Sequence, residues 1–233
     1  MQKSARGNNT VISGTNEDDY LYNTGDFVTM IGGKGKDSLY NDKPDNVTML
    51  GGDGNDYLDN YAGGYHVLVK GEAGNDTINN SSGRWDGYAQ SVTLDGGDDD
   101  DILLGEAGND TIYGGNGNDD LSGGDGNDKI YGGSDNDTLQ GGKGNDSLWG
   151  DAGADTFFYE LGDGKDVIFG FDNDDTLTLD GIEFTASYSK NNKAVTLKFD
   201  NNNSITFKNF TATTFHIDNA TYKINSKNKF VAT

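Results

Sequence analysis

Seven consecutive nine-residue segments between Gly96 and Phe158 constrain the fold of this chain more than any other feature of its sequence. They read GGDDDDILL, GEAGNDTIY, GGNGNDDLS, GGDGNDKIY, GGSDNDTLQ, GGKGNDSLW and GDAGADTFF. Each has Gly at its first position, Asp at its sixth and an apolar residue at its eighth. A fixed short period of this kind is typical of a solenoid, in which stacked coils bury a continuous core.

The sixth-position aspartates recur at intervals that define two ladders. Related segments begin earlier, at Gly14, Gly32, Gly51 and Gly71, and if two segments form one coil, residues about 18 apart stack at one corner. One ladder then runs along nearly the whole solenoid through Asp19, Asp37, Asp56, Asp76, Asp101, Asp119, Asp137 and Asp155. A second ladder lies at the opposite corner of the tandem block and comprises Asp110, Asp128, Asp146 and, from LGDGKDVIF, Asp166.

Apolar residues follow the same spacing and predict an all-β parallel solenoid with a thin core between two sheets. The predicted core comprises Leu21, Val28, Met30, Leu39, Val47, Met49, Leu58, Val67, Val69, Ile78, Val92, Leu94, Leu103, Ile112, Leu121, Ile130, Leu139, Leu148 and Phe157. Beyond the repeats, TLTLDGI, AVTLKF and SITFKNF alternate apolar and polar residues, which indicates a small antiparallel cap over the open end of the solenoid.

This pattern divides the chain into four parts. They are an N-terminal extension and first strand (1–13), an irregular solenoid (14–95), a regular two-sided solenoid (96–169) and a C-terminal cap (170–233). No comparable N-terminal cap is evident, so we expect residues 1–10 to have been cut from, or to continue, a longer protein.

Composition narrows the classes of function. Of 233 residues, 39 are acidic and 17 basic, the net charge is −22, and only 32% are hydrophobic. Such a chain would ordinarily be disordered, but the regular spacing of the acids points to bound cations as the missing stabilising contribution. The sequence has no basic patch for nucleic acid, no span for a bilayer and no cleavable export signal. The absence of Cys is compatible with either redox compartment.

Calcium suits these residues, because it takes six to eight oxygen ligands from carboxylates and backbone carbonyls. All twelve ladder aspartates are candidate ligands, and neighbouring rungs such as Asp101 and Asp119 would share an ion. Loop glycines would turn carbonyls toward the ion; those in the tandem block are Gly105, Gly108, Gly114, Gly115, Gly117, Gly123, Gly124, Gly126, Gly132, Gly133, Gly141, Gly142 and Gly144. In the first half of the chain, the corner opposite the aspartate ladder lacks this pattern. Calcium is therefore expected in that half only at the aspartate corner. A single Gly-Asn-Asp could be merely a turn, but seven tandem copies favour a metal site.

The segments from Gly14 to Phe169 resemble the RTX, or haemolysin-type calcium-binding, repeat family. The resemblance implies a parallel β-roll with calcium held between loops by the sixth-position Asp and loop carbonyls. It also implies export by type I secretion machinery through an uncleaved C-terminal signal, which the closing NKFVAT resembles. In this family the repeats often follow a catalytic or adhesive domain, and no such domain is visible here.

These patterns favour a non-catalytic calcium-binding module of a secreted, extracellular or cell-surface protein that folds on binding calcium. The alternative is an adhesive module that binds a surface glycan or a protein. Its candidate contacts are an outward column of Tyr113, Tyr131 and Trp149, with Phe169 as its counterpart, or Arg84 and Trp85 in the long 80–91 loop. For the column, a purely structural stacking ladder partly covered by the cap is the favoured interpretation. No familiar hydrolase or metalloprotease motif occurs in the sequence.

Overall fold

The architecture is a two-sheet solenoid of short β-strands. A computed structural model describes residues 2–42, 45–61, 66–81, 91–189, 191–224 and 229–233. These residues form strands, turns and loops and contain no helix, so no helix that could cross a membrane is found among them.

The strands are short and evenly spaced along the chain. The irregular first half contains β1 (Gln2–Ala5), β2 (Thr10–Ser13), β3 (Tyr20–Asn23), β4 (Val28–Lys34), β5 (Ser38–Asn41), β6 (Thr48–Asp53), β7 (Tyr57–Asn60), β8 (Leu68–Ala73) and β9 (Thr77–Asn79). The region that begins with the tandem block contains β10 (Thr93–Asp98), β11 (Ile102–Leu104), β12 (Thr111–Asn116), β13 (Asp120–Asp125), β14 (Lys129–Ser134), β15 (Thr138–Lys143), β16 (Ser147–Ala152) and β17 (Thr156–Phe158). The C-terminal part contains β18 (Lys165–Phe169), β19 (Thr176–Thr178), β20 (Thr185–Ser189), β21 (Ala194–Lys198), β22 (Ser204–Lys208), β23 (Thr214–Ile217), β24 (Ala220–Ile224) and β25 (Phe230–Ala232).

Alternate strands enter opposite sheets, so each coil contributes one strand to each. Within the described residues, one sheet has 13 strands and begins β1-β3-β5-β7-β9, while the other has 12 and begins β2-β4-β6-β8-β10. Pairing along the coils is parallel, with Leu121 opposite Leu139 and Ile112 opposite Ile130. The predicted parallel β-solenoid is therefore confirmed, and equivalent positions of successive segments lie one above another.

The core lies between the sheets and is one side chain thick on each side. Eighth-position residues point inward and are fully buried, as Leu103, Leu121 and Leu139 illustrate, whereas their strand neighbours face outward. Every residue of the predicted core is buried. Each such side chain contributes roughly 1.5–3 kcal/mol on burial, but two short strands per coil leave room for few of them.

Parallel stacking continues beyond residue 169. Strand β19 pairs in parallel with β17 and with β23, and β22 pairs in parallel with β18. The prediction that TLTLDGI belongs to an antiparallel cap was therefore wrong: residues 170–178 read GFDNDDTLT, another nine-residue segment with Asp175 at its sixth position. The antiparallel part consists of β20-β21-β22 and β23-β24-β25, which includes the predicted hairpin of AVTLKF and SITFKNF.

The N-terminal residues form one coil. Strand β1 pairs in parallel with β3, and β2 pairs in parallel with β4, so residues 2–13 place one strand at the end of each sheet. The stretch predicted as an extension and first strand thus has the same two-strand geometry as the coils that follow it.

Candidate metal centre

The aspartates of each predicted ladder are buried and linked by hydrogen bonds from coil to coil. The backbone N–H of Asp101 donates to Oδ1 of Asp119 at 2.8 Å, and that of Asp119 donates to Oδ1 of Asp137 at 2.9 Å. At the other corner, the N–H of Asp110 donates to Oδ1 of Asp128 at 2.8 Å. The same bond links Asp19 to Asp37, Asp37 to Asp56, Asp56 to Asp76, Asp76 to Asp101, Asp128 to Asp146, Asp137 to Asp155 and Asp146 to Asp166. One carboxylate oxygen of each downstream rung is thus used within the protein.

The second oxygen of most rungs is buried without a hydrogen-bond partner in the described part of the chain. This applies to Oδ2 of Asp37, Asp56, Asp76, Asp101, Asp110, Asp119, Asp128, Asp137 and Asp146. A buried polar atom left unpaired costs roughly 1–3 kcal/mol, and more when it is charged. Nine such atoms in two regular rows are far beyond what a packing defect explains, and a cation between coils would satisfy them.

The first-position glycine provides the space beside each of these oxygens. A methyl group at Gly114 would lie 2.3 Å from Oδ2 of Asp119 and 2.6 Å from the carbonyl oxygen of Gly132, which belongs to the next coil. At Gly123 the corresponding distances to Asp128 Oδ2 and Gly141 O are 2.4 and 2.6 Å. A carboxylate oxygen and a carbonyl oxygen from two stacked coils therefore lie beside the same glycine, which is an arrangement that an ion shared between loops would need.

The second and fourth positions need left-handed backbone. Gly115 and Gly117 have φ of 127° and 124°, a region that glycine enters without steric cost. Glu106 at a second position and Asp135 at a fourth adopt φ of 66° and 78°, so the turn forms even where a side chain is present. The first-position glycines from Gly14 to Gly150 lie outside this region and are required by crowding instead.

Burial raises the pKa values of the ladder carboxyls. The pKa is about 8 for Asp101, Asp137 and Asp166, and about 7 for Asp110 and Asp146, because desolvation disfavours the charged form more than the backbone hydrogen bond favours it. The pKa values of Asp56, Asp76, Asp119, Asp128 and Asp155 rise to about 6 or 7 for the same reason, and that of Asp37 is also raised. Without a cation, the carboxyls with a pKa of about 8 are mostly protonated at neutral pH, whereas those with a pKa of about 6 are mostly ionised.

Protonation of the ladder carboxyls should therefore stabilise the folded chain in part when no calcium is bound. Between the ordinary Asp pKa of 3.8 and the raised value of about 8 at Asp101, the folded metal-free chain binds more protons than the unfolded chain. Its free energy of unfolding must then fall as the pH rises through this window. We expect the chelated chain to gain β structure as the pH is lowered from about 8 to about 5, measured by circular dichroism. A signal that is flat across this range would contradict the prediction.

At the two ends of the long ladder, Asp19 and Asp175, the Oδ2 atom accepts hydrogen bonds from within the protein. Oδ2 of Asp19 accepts hydrogen bonds from Thr15 N at 2.6 Å and Thr15 Oγ1 at 2.7 Å. Asp175, which the sequence analysis missed, accepts the N–H of Asp155 at 3.0 Å through Oδ1 and that of Asp172 at 2.7 Å through Oδ2. Asp175 could have been found from its sixth position in GFDNDDTLT, 20 residues after Asp155.

The opposite corner of the first half contains a buried asparagine ladder, which the sequence analysis also missed. Nδ2 of Asn23 donates to Oδ1 of Asn41 at 2.8 Å, Asn41 donates likewise to Asn60 at 2.7 Å, and Asn60 donates to Asn80 at 2.6 Å. The last amide, Asn80 Nδ2, donates to the carbonyl oxygen of Gly105 at 2.9 Å. These asparagines occupy the place of the first-position glycine at this corner, and their side chains fill the space that the glycine leaves open.

Valine replaces the sixth-position aspartate at the same corner. Strand pairing aligns Asp110 with Val92, Val67, Val47 and Val28 in the preceding coils, and all four valines are buried. The first half therefore has neither the carboxylate nor the open space on this side. Calcium on one side only of the first half stays a prediction, and these two differences give it a physical reason.

A second, exposed row of polar side chains runs along the fifth positions. The N–H of Asn118 donates to Oδ1 of Asp100 at 2.7 Å, that of Asn136 to Asn118 at 3.1 Å, and that of Ala154 to Asn136 at 2.8 Å. These bonds join the loops of adjacent coils and explain the recurring Asn before the sixth-position Asp.

The predicted aromatic column exists and is a continuous stack. Ring centroids are 5.0 Å apart for Tyr113 and Tyr131, 4.5 Å for Tyr131 and Trp149, and 4.5 Å for Trp149 and Phe169, with interplanar angles of 4–13°. Lys208 of the C-terminal hairpin places Nζ 5.7 Å from the ring centre of Phe169. The inner ring faces are occupied by one another, which favours a stacking ladder over a docking strip. Arg84 and Trp85, the other candidate contacts, lie outside the described residues.

These contacts indicate a donor set for each ion that consists mainly of backbone carbonyl oxygens. No group of three or more His, Cys, Asp or Glu side chains converges among the described residues. Calcium accepts carbonyl oxygens readily, so a few carboxylate oxygens together with loop carbonyls from two coils would suit it. Magnesium, which requires near-octahedral geometry, and metals that prefer thiolate ligands fit these donors less well.

A parallel solenoid with glycine-lined loops and rows of buried aspartates defines a calcium-binding repeat module. The RTX calcium-binding nonapeptide repeat matches the chain in four copies, at residues 61–84, 95–130, 131–164 and 160–181. This repeat region belongs to the RTX calcium-binding nonapeptide repeat family. The chain matches no curated protein.

Proposed function

We propose that this chain is a non-catalytic calcium module of a protein exported by a type I secretion system. It crosses the cell envelope without calcium in a largely unfolded form, folds when it meets calcium outside, and supports a neighbouring domain. The twelve predicted Asp ligands and the loop glycines carry this role, and the four-part division of the chain is part of the proposal.

The buried, unpartnered Oδ2 atoms are the observation that carries the proposal. At neutral pH, ionising all of the buried rungs would cost desolvation and would bring like charges together in two rows, while the thin core offers little to oppose these costs. A divalent cation beside each oxygen removes both costs. Because the loops of two coils must stack to form each site, binding and folding are coupled.

The difference in calcium concentration between the cytosol and the outside of the cell fits folding that begins only after export. Extracellular calcium modules bind at about 10⁻⁴–10⁻³ M, well above cytosolic levels. At ten times its dissociation constant, each independent site stabilises the folded chain by about 1.4 kcal/mol, and several sites together exceed the stability of a small domain.

The experiment is a calcium titration of the chelated chain, followed by circular dichroism and calorimetry. We expect little β signal in chelator, a cooperative gain in the millimolar range or just below it, and no comparable gain with magnesium at the same concentration. An unchanged β signal after complete calcium removal at neutral pH would exclude coupled folding.

Export needs a separate measurement. The chain would be expressed with and without a type I exporter, and its amount in the medium compared at equal expression. We expect accumulation outside the cell only with the exporter, and equal amounts in the two cultures would contradict that part of the proposal.

A further inference from the structure

The outer face of the first sheet carries a cluster of tyrosines in the irregular half of the chain. Tyr20 and Tyr22 lie on β3, Tyr40 on β5 and Tyr57 on β7. The ring of Tyr40 lies 5.0 Å from that of Tyr20 and 5.7 Å from that of Tyr57, tilted by 32° and 45°. Ser38, which aligns with Tyr20 and Tyr57 in the strand pairing, leaves room for Tyr40 between them.

This packing leaves a cavity on the other side of Tyr40. It measures about 170 Å³ and is lined by Tyr22, Tyr40, Asn41, Asp42, Asp59 and Tyr61. The volume is small beside the roughly 300–1,000 Å³ of sites for drug-sized ligands, so it suits a single compact group.

Two carboxylates are held at the edge of these aromatic walls. Tyr22 Oη donates to Oδ2 of Asp42 at 2.8 Å, and Ser81 Oγ donates to Oδ1 of Asp59 at 2.6 Å. Burial raises the pKa of Asp59, since desolvation disfavours its charge. Among the described residues, none that lines the cavity is basic. A positive ligand would therefore be attracted and would relieve the cost of the partly buried charge.

We propose that this cavity binds a small organic ammonium cation, such as a trimethylammonium group. Three tyrosines supply ring surfaces that attract a weakly hydrated cation, and the two aspartates supply opposite charge. Metal ions fit this cavity less well, because each of its two carboxylates already accepts a hydrogen bond and no third acidic or His side chain joins them among the described residues.

Other small ligands are disfavoured by the same contacts. Phosphates and acidic sugars would meet two carboxylates on a chain of net charge −22. A neutral sugar could hydrogen-bond to Asp42 and Asp59 but would gain nothing from their charge. The site also differs from the aromatic column at Tyr113–Phe169, whose ring faces are stacked on one another and whose end is covered by Lys208.

The test uses choline as the probe on the full chain loaded with calcium. We expect saturable binding by calorimetry, with at least about tenfold weaker binding of 3,3-dimethylbutanol, the neutral isostere of choline, since only the charge differs. Glucose serves as the neutral sugar. Equal binding of choline and the isostere, preferential binding of glucose, or no choline binding would each overturn the proposal.

Two variants locate the site. Asp59→Asn should weaken choline binding about tenfold or more, and Tyr61→Leu about threefold to tenfold, by loss of the charge and of one ring. Tyr131→Leu, on the aromatic column, is the matched control and should leave choline binding unchanged. Circular dichroism in calcium confirms that each variant is folded, so a failure of calcium-driven folding is distinguished from a failure of this site. Unchanged binding in both folded variants would exclude this cavity.

Discussion

Replacement of Gly114 by Ala will destabilise the calcium-loaded chain by about 2–3 kcal/mol and remove calcium binding at that rung. The added methyl group would lie 2.3 Å from Oδ2 of Asp119 and 2.6 Å from Gly132 O, closer than any carbon–oxygen contact allows. One neighbour is backbone in the next coil, so it can move only by separating the coils. The methyl group would also push both oxygens away from the positions from which we expect them to contact a cation.

Urea unfolding in saturating calcium measures the loss of stability, and calorimetric titration counts the ions. Gly7→Ala is the matched control, because its added methyl group would have Thr10 Oγ1 at 3.7 Å as its nearest neighbour. We expect that variant to change stability by less than about 0.5 kcal/mol. If Gly114→Ala binds the full number of calcium ions with unchanged stability, the space beside the first-position glycine has no role in metal binding.

Replacement of Asn60 by Ala will destabilise the chain by about 2–4 kcal/mol without changing the number of bound calcium ions. Asn60 accepts from Asn41 Nδ2 at 2.7 Å and donates to Asn80 Oδ1 at 2.6 Å, and all three asparagines are buried. The substitution removes two hydrogen bonds between side chains that water does not reach. Asn60 lies at the corner where valine replaces the predicted aspartate ligand, so the number of bound calcium ions should not change.

The exposed row of polar side chains provides the control for this prediction. Asn118→Ala removes three exposed hydrogen bonds, two from Asn136 N and Nδ2 to Asn118 Oδ1 and one from Asn118 Nδ2 to Asp100 Oδ1, but solvent can replace them, so we expect a loss of about 0.5 kcal/mol or less. Both variants would be compared by urea unfolding at one calcium concentration. A loss of bound calcium in Asn60→Ala, or equal stability losses in the two variants, would contradict the assignment of a structural, metal-free ladder.

Much of the architecture could be predicted from period alone. The spacing of Asp101, Asp119 and Asp137 placed them at one corner, and the eighth-position residues were all found in the core. The second ladder from Asp110 to Asp166 was also recovered, including its last rung across a two-residue insertion. These predictions succeeded because stacking converts a repeated sequence position directly into a row in space.

The asparagine ladder was missed although it has the same period. Asn23, Asn41, Asn60 and Asn80 are separated by 18, 19 and 20 residues and lie at loop starts, where asparagine is common for local reasons. Counting nine residues from each preceding first-position glycine reaches them, but only the structure shows that their side chains are buried and hydrogen-bonded to one another. The end of the parallel stack was likewise misjudged, because TLTLDGI alternates like a hairpin strand but pairs in parallel with β17.

The sequence by itself determined the coil length, the two rows of aspartates, the core positions and the acidic chemistry that favours calcium. The tertiary structure alone decided which carboxylate oxygen is used within the protein and which is left without a partner, and that the first-position glycine makes room beside the second. It also decided that the rings of the aromatic column cover one another's faces, whereas the cavity lined by Tyr22, Tyr40 and Tyr61 is accessible to a small ligand. The reason is physical: each of these features is a contact between coils or between the sides of a coil, and its distance depends on how neighbouring backbones stack.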